Sequence, residues 1–167
     1  MVVSSVGNSQ TFQVSTPSDR EICLTRLFDA PPRVVFEAMT KPEHVRRWYG
    51  SLDEGHSVEV CDIDLRVGGK WRIVGRHPKG TYEFYGVYHE IDAPSRIVYT
   101  EIYAPFPDGP SLVTSTLVEE NGKTRLTVTA SYPSLEVRDM VIATGMAKGA
   151  AISYDRLDDV ARELAQA

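Results

Sequence analysis

The chain is 167 residues long, 42% hydrophobic and 25% charged, with a formal net charge of -5 at pH 7. That composition fits one globular domain with a sizeable core. It argues against nucleic acid as a bulk partner, since phosphate binding leans on basic patches, and apolar runs of only a few residues leave no membrane span. The opening residues lack the basic, apolar, small-residue order of a secretory signal, so a cytoplasmic location is expected. Cys23 and Cys61 lie inside apolar alternations rather than at a metal-type spacing. They read as buried free thiols, with a disulfide or redox pair as the alternative.

Residues 1–18 are rich in Ser, Thr, Val and Gln with almost no charge, and are expected to form a flexible leader before a single domain spanning 19–167. Thr11 to Val14 is a candidate edge strand within that leader. From Arg20 to Phe28, Ile22, Leu24 and Phe28 alternate with Glu21, Cys23, Thr25 and Leu27, giving a first strand. Pro31-Pro32 can open a helix but not continue a strand, so a short helix is expected from Pro32 to Met39. Lys41-Pro42 breaks it, and a second short helix runs from Glu43 to Trp48. A loop from Ser51 to His56 follows.

Beyond that loop the hydrophobic period changes to two. Val58 and Val60 mark a strand, and Asp64-Leu65-Arg66-Val67-Gly68-Gly69 reads as a hairpin or bulge leading into a strand from Lys70 to Arg76. Thr81 to Ile91 places Tyr82, Phe84, Gly86 and Tyr88 on one side and Tyr85, Val87 and His89 on the other. Arg96 to Tyr103 returns. Ala104 to Pro110 holds three prolines and a glycine and reads as a loop. Leu112 to Glu119 and Lys123 to Tyr132 form a hairpin around Glu120-Asn121-Gly122.

Pro133-Ser134 ends the sheet and caps a helix expected to run unbroken from Ser134 to Ala165, roughly 48 Å if straight. Its apolar side carries Ile142, Met146, Gly149, Ala150, Ser153, Leu157, Val160 and Leu164, opposite Lys148, Asp155, Asp159 and Arg162. The C-terminal half of that stripe holds ordinary core formers. The N-terminal half holds Gly149, Ala150 and Ser153, which either admit a close neighbour or leave a hollow. The fold class expected is α+β: a curved antiparallel sheet of about six to seven strands around the long C-terminal helix, with two short helices after the first strand.

The element order, with Phe28-Asp29-Ala30-Pro31, Asp64 to Gly69, Gly86 to Ala93, and Gly145-Met146-Ala147-Lys148-Gly149 to Leu157, resembles the SRPBCC (START-like) superfamily. Within it the chain is similar to the branch of the activator of heat-shock protein 90 ATPase homologue, from Ser15 to Leu164. The resemblance implies a helix-grip fold with a deep hydrophobic cavity between the curved sheet and the C-terminal helix. Such proteins include lipid carriers, polyketide cyclases and aromatases, oxygenase domains, hormone receptors and cochaperone domains, so the fold does not hand over a function. The eukaryotic cochaperone has a separate N-terminal domain for which this chain is expected to have no room. Family members often carry a bulky aromatic near position 150. Here Ala150, with Gly149 and Ser153 beside it, would open the cavity by that architecture.

The expected role is binding of a small hydrophobic or aromatic molecule. Its walls would be Trp48, Trp71, Phe84, Tyr88, Val113, Ser115, Leu126 and Val128 from strands and short helices, with Ile142, Met146, Gly149, Ala150 and Ser153 from the last helix. On one strand Leu126, Val128, Ala130 and Tyr132 face one way and Thr127 and Thr129 the other. A solid core filled by these aromatics is the competing reading. An enzyme of the polyketide cyclase type acting in the same cavity is a second function class. It would need a perturbed titratable group, and His56, His77, His89, Glu101, Asp62, Asp64 and Arg72 are the candidates, although they form no recognisable set. No nucleophile elbow, phosphate loop, dinucleotide fingerprint or His-rich spacing is present, so no catalytic residue, metal or cofactor is assigned. Arg26, Arg66 and Arg72 interleave with apolar residues, as ion pairs at strand ends or as anchors for a ligand carboxylate. Arg33, Arg46 and Arg47 form a small basic group near the short helices, and a chaperone partner is a third reading. A homodimer through an edge strand or the short helices stays open.

Overall fold

The structure is a computed structural model that describes residues 8–50 and 55–167; expectations for residues 1–7 and 51–54 lie outside it. Two strands, β1 (Gln13–Ser15) and β2 (Glu21–Phe28), lead into helices α1 (Pro32–Thr40) and α2 (Pro42–Trp48). Six strands follow: β3 (Ser57–Ile63), β4 (Lys70–His77), β5 (Gly80–Asp92), β6 (Arg96–Tyr103), β7 (Phe106–Glu120) and β8 (Lys123–Ser131). Two helices, α3 (Leu135–Ala143) and α4 (Met146–Gln166), close the chain. Every strand pair is antiparallel, and the eight strands form one sheet in the order β1-β2-β8-β7-β6-β5-β4-β3.

Both short helices begin with proline in the first turn, where the missing N–H would find no helical acceptor anyway. Val34, Val35, Phe36 and Ala38 on α1, with Val45 and Trp48 on α2, are buried. The indole of Trp48 ties the two helices together, donating from Nε1 to the Ala38 carbonyl at 2.9 Å. Asn121-Gly122, both at positive φ, makes the β7–β8 turn expected of that dipeptide.

Two sequence expectations are corrected. The last helix is not continuous. Ser134 caps α3 by accepting a hydrogen bond from the Val137 amide, but Gly145 adopts φ 79°, a left-handed conformation that glycine reaches without a side-chain clash, and the helix restarts there. Helix α4 alone is therefore about 31 Å long. Ala104 to Pro110 is also not simply a loop, because β7 already begins at Phe106. Tyr103 pairs with Phe106 and Glu101 with Ser111, so the four residues 107–110 on the β7 side stand opposite Ile102 alone. Pro107 and Pro110 fall in that bulge, where no ladder N–H is demanded of them. Gly109, within the bulge, sits so close to the Phe106 ring that a Cβ there would lie 2.3 Å from it.

The core has two parts. The larger gathers Phe28, the buried faces of α1 and α2, Trp71, Ile73, Tyr88, Ile97, Leu117, Leu126 and the Leu157–Val160–Ala161 stretch of α4. The smaller gathers Ile22, Leu24 and Tyr132, with Val137 and Val141 from α3 and Met146, Ala150 and Tyr154 from α4 packed against it. Val128 and Tyr154 belong to both. Cys23 and Cys61 are free thiols, Cys61 buried.

Candidate functional site

The registers fix which residues share the inner face of the sheet. Leu24 stands beside Val128, Val128 beside Ser115, Ser115 beside Ile97, and Val113 beside Tyr99. Across β5 and β4, Tyr99 meets Tyr88, Trp71 meets Gly86, and Ile73 meets Phe84. Trp71, Phe84, Tyr88, Val113, Ser115, Leu126 and Val128 therefore all lie on the face that receives the helices. The alternations that placed Tyr82, Phe84, Gly86 and Tyr88 together, and Leu126, Val128, Ala130 and Tyr132 together, hold.

That face is paved with rings. Phe84 lies 5.2 Å from Tyr103, 6.0 Å from Tyr82 and 6.4 Å from Tyr49 between centroids. Tyr99 is edge-on to Trp71 at 5.5 Å and to Tyr88 at 6.1 Å. Trp71 reaches across the strand because Gly86 has no side chain: a Cβ there would sit 1.7 Å from the Thr100 carbonyl oxygen, to which Trp71 Nε1 donates at 3.2 Å. Tyr82 in turn lies flat over Gly75 and approaches Gly50. Gly50 accepts a hydrogen bond from Ser153 Oγ at 2.6 Å, so this side of the sheet is tied to α4 through the end of α2.

Glu101 is the polar exception. It follows Ile97 and Tyr99 on the inner side of β6 and pairs with buried Ser111. Burial pushes its carboxyl up from 4.5 to about 7. Tyr49, Tyr99, Tyr132 and Tyr154 are likewise pushed up, first by burial and then by the nearby Glu101 charge, Tyr132 to about 12. One carboxyl and four phenols thus share one low-dielectric space. Among the described residues no side-chain hydrogen bond or ion pair engages the Glu101 carboxylate; only its backbone oxygen is used, by Ser111 Oγ at 3.4 Å. Ser115 Oγ, fully buried beside Ile97 farther along the same face, also finds no partner. Tyr49, Phe84, Tyr99, Glu101, Val128 and Tyr154 each keep part of their surface accessible despite this position.

The helix side divides. Met146 and Ala150 pack toward Ile22, Leu24 and Tyr132. A Cβ added at Gly149 would meet nothing within 4 Å, so that position borders open space. Ile142, in contrast, is 43% exposed on α3, and Trp48, at the end of α2, is bonded to α1 with its ring tilted against Tyr49. The sequence names Glu101 only as one titratable group among several, sets Tyr132 on the inner face through its alternation with Leu126, and gives no role to Tyr49, Tyr99 and Tyr154. The alternation Ile97, Tyr99, Glu101 was the available signal for β6.

The other titratable candidates lie elsewhere. His77 accepts the Lys79 amide at its ring nitrogen, 3.1 Å, His56 lies beside it, and His89 is exposed. Asp64 pairs with Arg66 and Arg72 with Glu83, both on the exposed surface. Arg26 is an ion pair of a different kind, fully buried against α4: its guanidinium meets Asp155 at 2.9 Å and Asp158 at 3.4 Å. Among the described residues no group of His, Cys, Asp and Glu is arranged to hold a metal ion. An open surface cleft of about 490 Å³ between α2 and α4 is lined by Arg47, Arg156, Asp159, Arg162 and Glu163. Arg47 pairs there with Glu163 and Arg162 with Asp159, so its charges largely neutralise one another.

A curved antiparallel sheet whose inner face receives a long C-terminal helix, with two short helices after the strand that leads into them, defines the helix-grip class, to which ligand-binding and cochaperone-like domains belong. Residues 29–162 match the model of the activator of Hsp90 ATPase homolog 1-like proteins, and the chain belongs to that family. No curated protein matches it. A crystal structure of a Rhodobacter sphaeroides protein is similar at 29% identity and TM-score 0.81, over 88% of this chain and 95% of that one. A Mycobacterium smegmatis protein is similar at 25% identity and TM-score 0.79, over 89% and 94%. An AHSA1-like protein from Aeromonas hydrophila shares the fold at 16% identity and TM-score 0.63, over 84% and 92%. Among the described residues no helix is long and apolar enough to cross a membrane.

Proposed function

We propose that this protein binds a small hydrophobic or aromatic molecule between the inner face of the sheet and α4, in the cytoplasm. The observation that carries the reading is that Tyr49, Phe84, Tyr99, Val128 and Tyr154 lie on or against that face and yet retain accessible surface. A core packed to ordinary density would have covered them. Open space at Gly149 and the unpartnered hydroxyl of buried Ser115 point the same way. Concave, mostly apolar sites with a few placed polar groups are the usual form of a small-molecule pocket. The test is a panel of apolar and aromatic ligands followed by emission of Trp48 and Trp71 and by melting temperature. A saturable emission change with a rise in melting temperature is expected for at least one member, and neither change with any member would remove the reading.

One observation favours a second reading, an enzyme acting in the same space. A carboxyl near 7 among phenols is placed to exchange a proton near neutral pH. Turnover of a poly-β-carbonyl substrate, with a pH profile breaking near 7 that Glu101→Gln abolishes, would establish it; absence of turnover would set it aside. The family name raises stimulation of a chaperone ATPase as a further possibility, and an ATPase assay with a cognate chaperone decides it.

A further inference from the structure

We propose that the pocket is selective for an apolar or aromatic molecule bearing a protonated amine, whose ammonium seats on the Glu101 carboxylate between aromatic faces. This rests on the pocket reading above and specifies the ligand class for it.

The argument begins from what Glu101 lacks. Its carboxylate has no hydrogen-bond or ion-pair partner among the described residues, and burial is the cause of its shift, with no opposing pull from an Arg or Lys. Residues 1–7 and 51–54 contain no cationic side chain. The groups that face it are Tyr99 on its own strand, Ser111 on β7, Tyr132 after β8, Tyr154 on α4 and Tyr49 after α2, none of them cationic. The carboxylate keeps accessible surface, so a ligand that displaces the water there must offer it a hydrogen-bond donor or a counter-charge. The surroundings suit an organic cation. Tyr49, Phe84, Tyr99 and Tyr103 present rings, whose negative faces attract ammonium groups, and their apolar bodies accept the attached hydrocarbon. An overall charge of -5 repels carboxylate ligands and attracts amines to the protein.

The test uses matched sets of amine, alcohol and carboxylate on three hydrocarbon scaffolds, 4-phenylbutyl, 2-naphthylethyl and dodecyl, titrated by calorimetry. At pH 8 the amine of at least one scaffold is expected to bind at least ten-fold more tightly than its alcohol, with the carboxylate weakest. Because the amine requires the ionised carboxyl and that group titrates near 7, amine affinity should fall about ten-fold from pH 8 to pH 6, while alcohol affinity stays flat. The four facing phenols stay neutral throughout this range, so Glu101 alone sets the slope. Glu101→Gln, checked for folding by its melting curve, should abolish both the preference and the slope while leaving the alcohol bound. Equal binding of amine and alcohol, in wild type and variant alike, overturns the amine proposal and leaves the pocket intact. Failure of all nine compounds to bind overturns the pocket reading and this one with it. As a ligand-independent check, the Glu101 side-chain carboxyl carbon followed by NMR should titrate near 7 in the free protein and lower on amine addition; a midpoint near 4.5 would also overturn the proposal.

Discussion

The guanidinium of Arg26 and the carboxylate of Asp158 meet at 3.4 Å with neither side chain exposed, joining β2, next to the edge of the sheet, to the last helix. Asp158 also accepts from the Asp29 amide at 2.8 Å and from Asn8 Nδ2 at 3.2 Å, so all its acceptor capacity is turned inward. Asn8 returns its backbone oxygen to Arg26 Nε at 3.3 Å and its side-chain oxygen to Lys123 Nζ at 3.1 Å. Burial lowers the Arg26 pKa, against the opposing pull of Asp158 and Asp155. Removing one partner strands the other charge in the core. Asp158→Ala is therefore expected to cost about 3–5 kcal/mol in urea unfolding. A loss below about 1 kcal/mol would mean that Asp155 can replace it.

The two halves of α4 are expected to answer mutation differently. Leu157 is fully buried, and Leu157→Ala should cost about 2–5 kcal/mol. Gly149 faces no neighbour, so Gly149→Ala should gain about 0.5–1 kcal/mol from helix propensity alone. Thermal melting of the two variants checks both signs. A destabilised Gly149→Ala would show that this turn is closely packed.

Gly86 is where the sheet admits the Trp71 indole. Gly86→Ala would drive a methyl onto the Thr100 carbonyl and into the path of Trp71 Nε1. A loss of at least about 1–3 kcal/mol is expected, with an altered Trp emission spectrum in the folded variant. An unchanged spectrum and melting temperature would contradict the placement of Trp71.

Glu101 makes stability depend on pH in a defined direction. Its folded pKa, about 7, lies above its ordinary value of 4.5. Between those values the folded state holds a proton that the unfolded state has released. Its stabilising share is complete below the lower value and is lost as pH rises through the upper one. Glu101→Gln cannot ionise, so its melting temperature relative to wild type should climb from pH 5 to pH 8, by an amount equivalent to about 1–3 kcal/mol. A difference that is constant with pH would mean an ordinary, solvated carboxyl.

Much of this architecture was legible because two-residue alternation reports directly on sheet faces. The sets Tyr82–Phe84–Gly86–Tyr88 and Leu126–Val128–Ala130–Tyr132 needed no tertiary information. The break at Gly145 was not legible, since a glycine is tolerated within an amphipathic pattern and only its φ distinguishes a stop from a passage. The bulge at 107–110 was hidden for a related reason: prolines mark an interrupted ladder but do not say whether the chain leaves the sheet or arches within it. Interleaved arginines suggested ion pairs at strand ends, and Arg66 and Arg72 do form surface pairs. Arg26 instead lies inside, because its partners come from a helix 129 and 132 residues further along the chain. Tyr49 and Tyr154 had no such signal, because Tyr49 follows α2 and Tyr154 lies on α4, away in the chain from the strands they face. Only the closed fold brings their hydroxyls near Glu101.

The pocket reading is tested most directly by ¹⁵N–¹H correlation spectra of the protein titrated with the apolar panel. Saturable shifts are expected at the inner-face positions Tyr99, Glu101, Val113, Ser115 and Val128 and at Gly149–Ser153 on α4, with the outer-face Thr127, Thr129 and His89 unmoved. Absence of any saturable shift, or shifts confined to exposed residues such as Val67, Val118 and Met140, would contradict it.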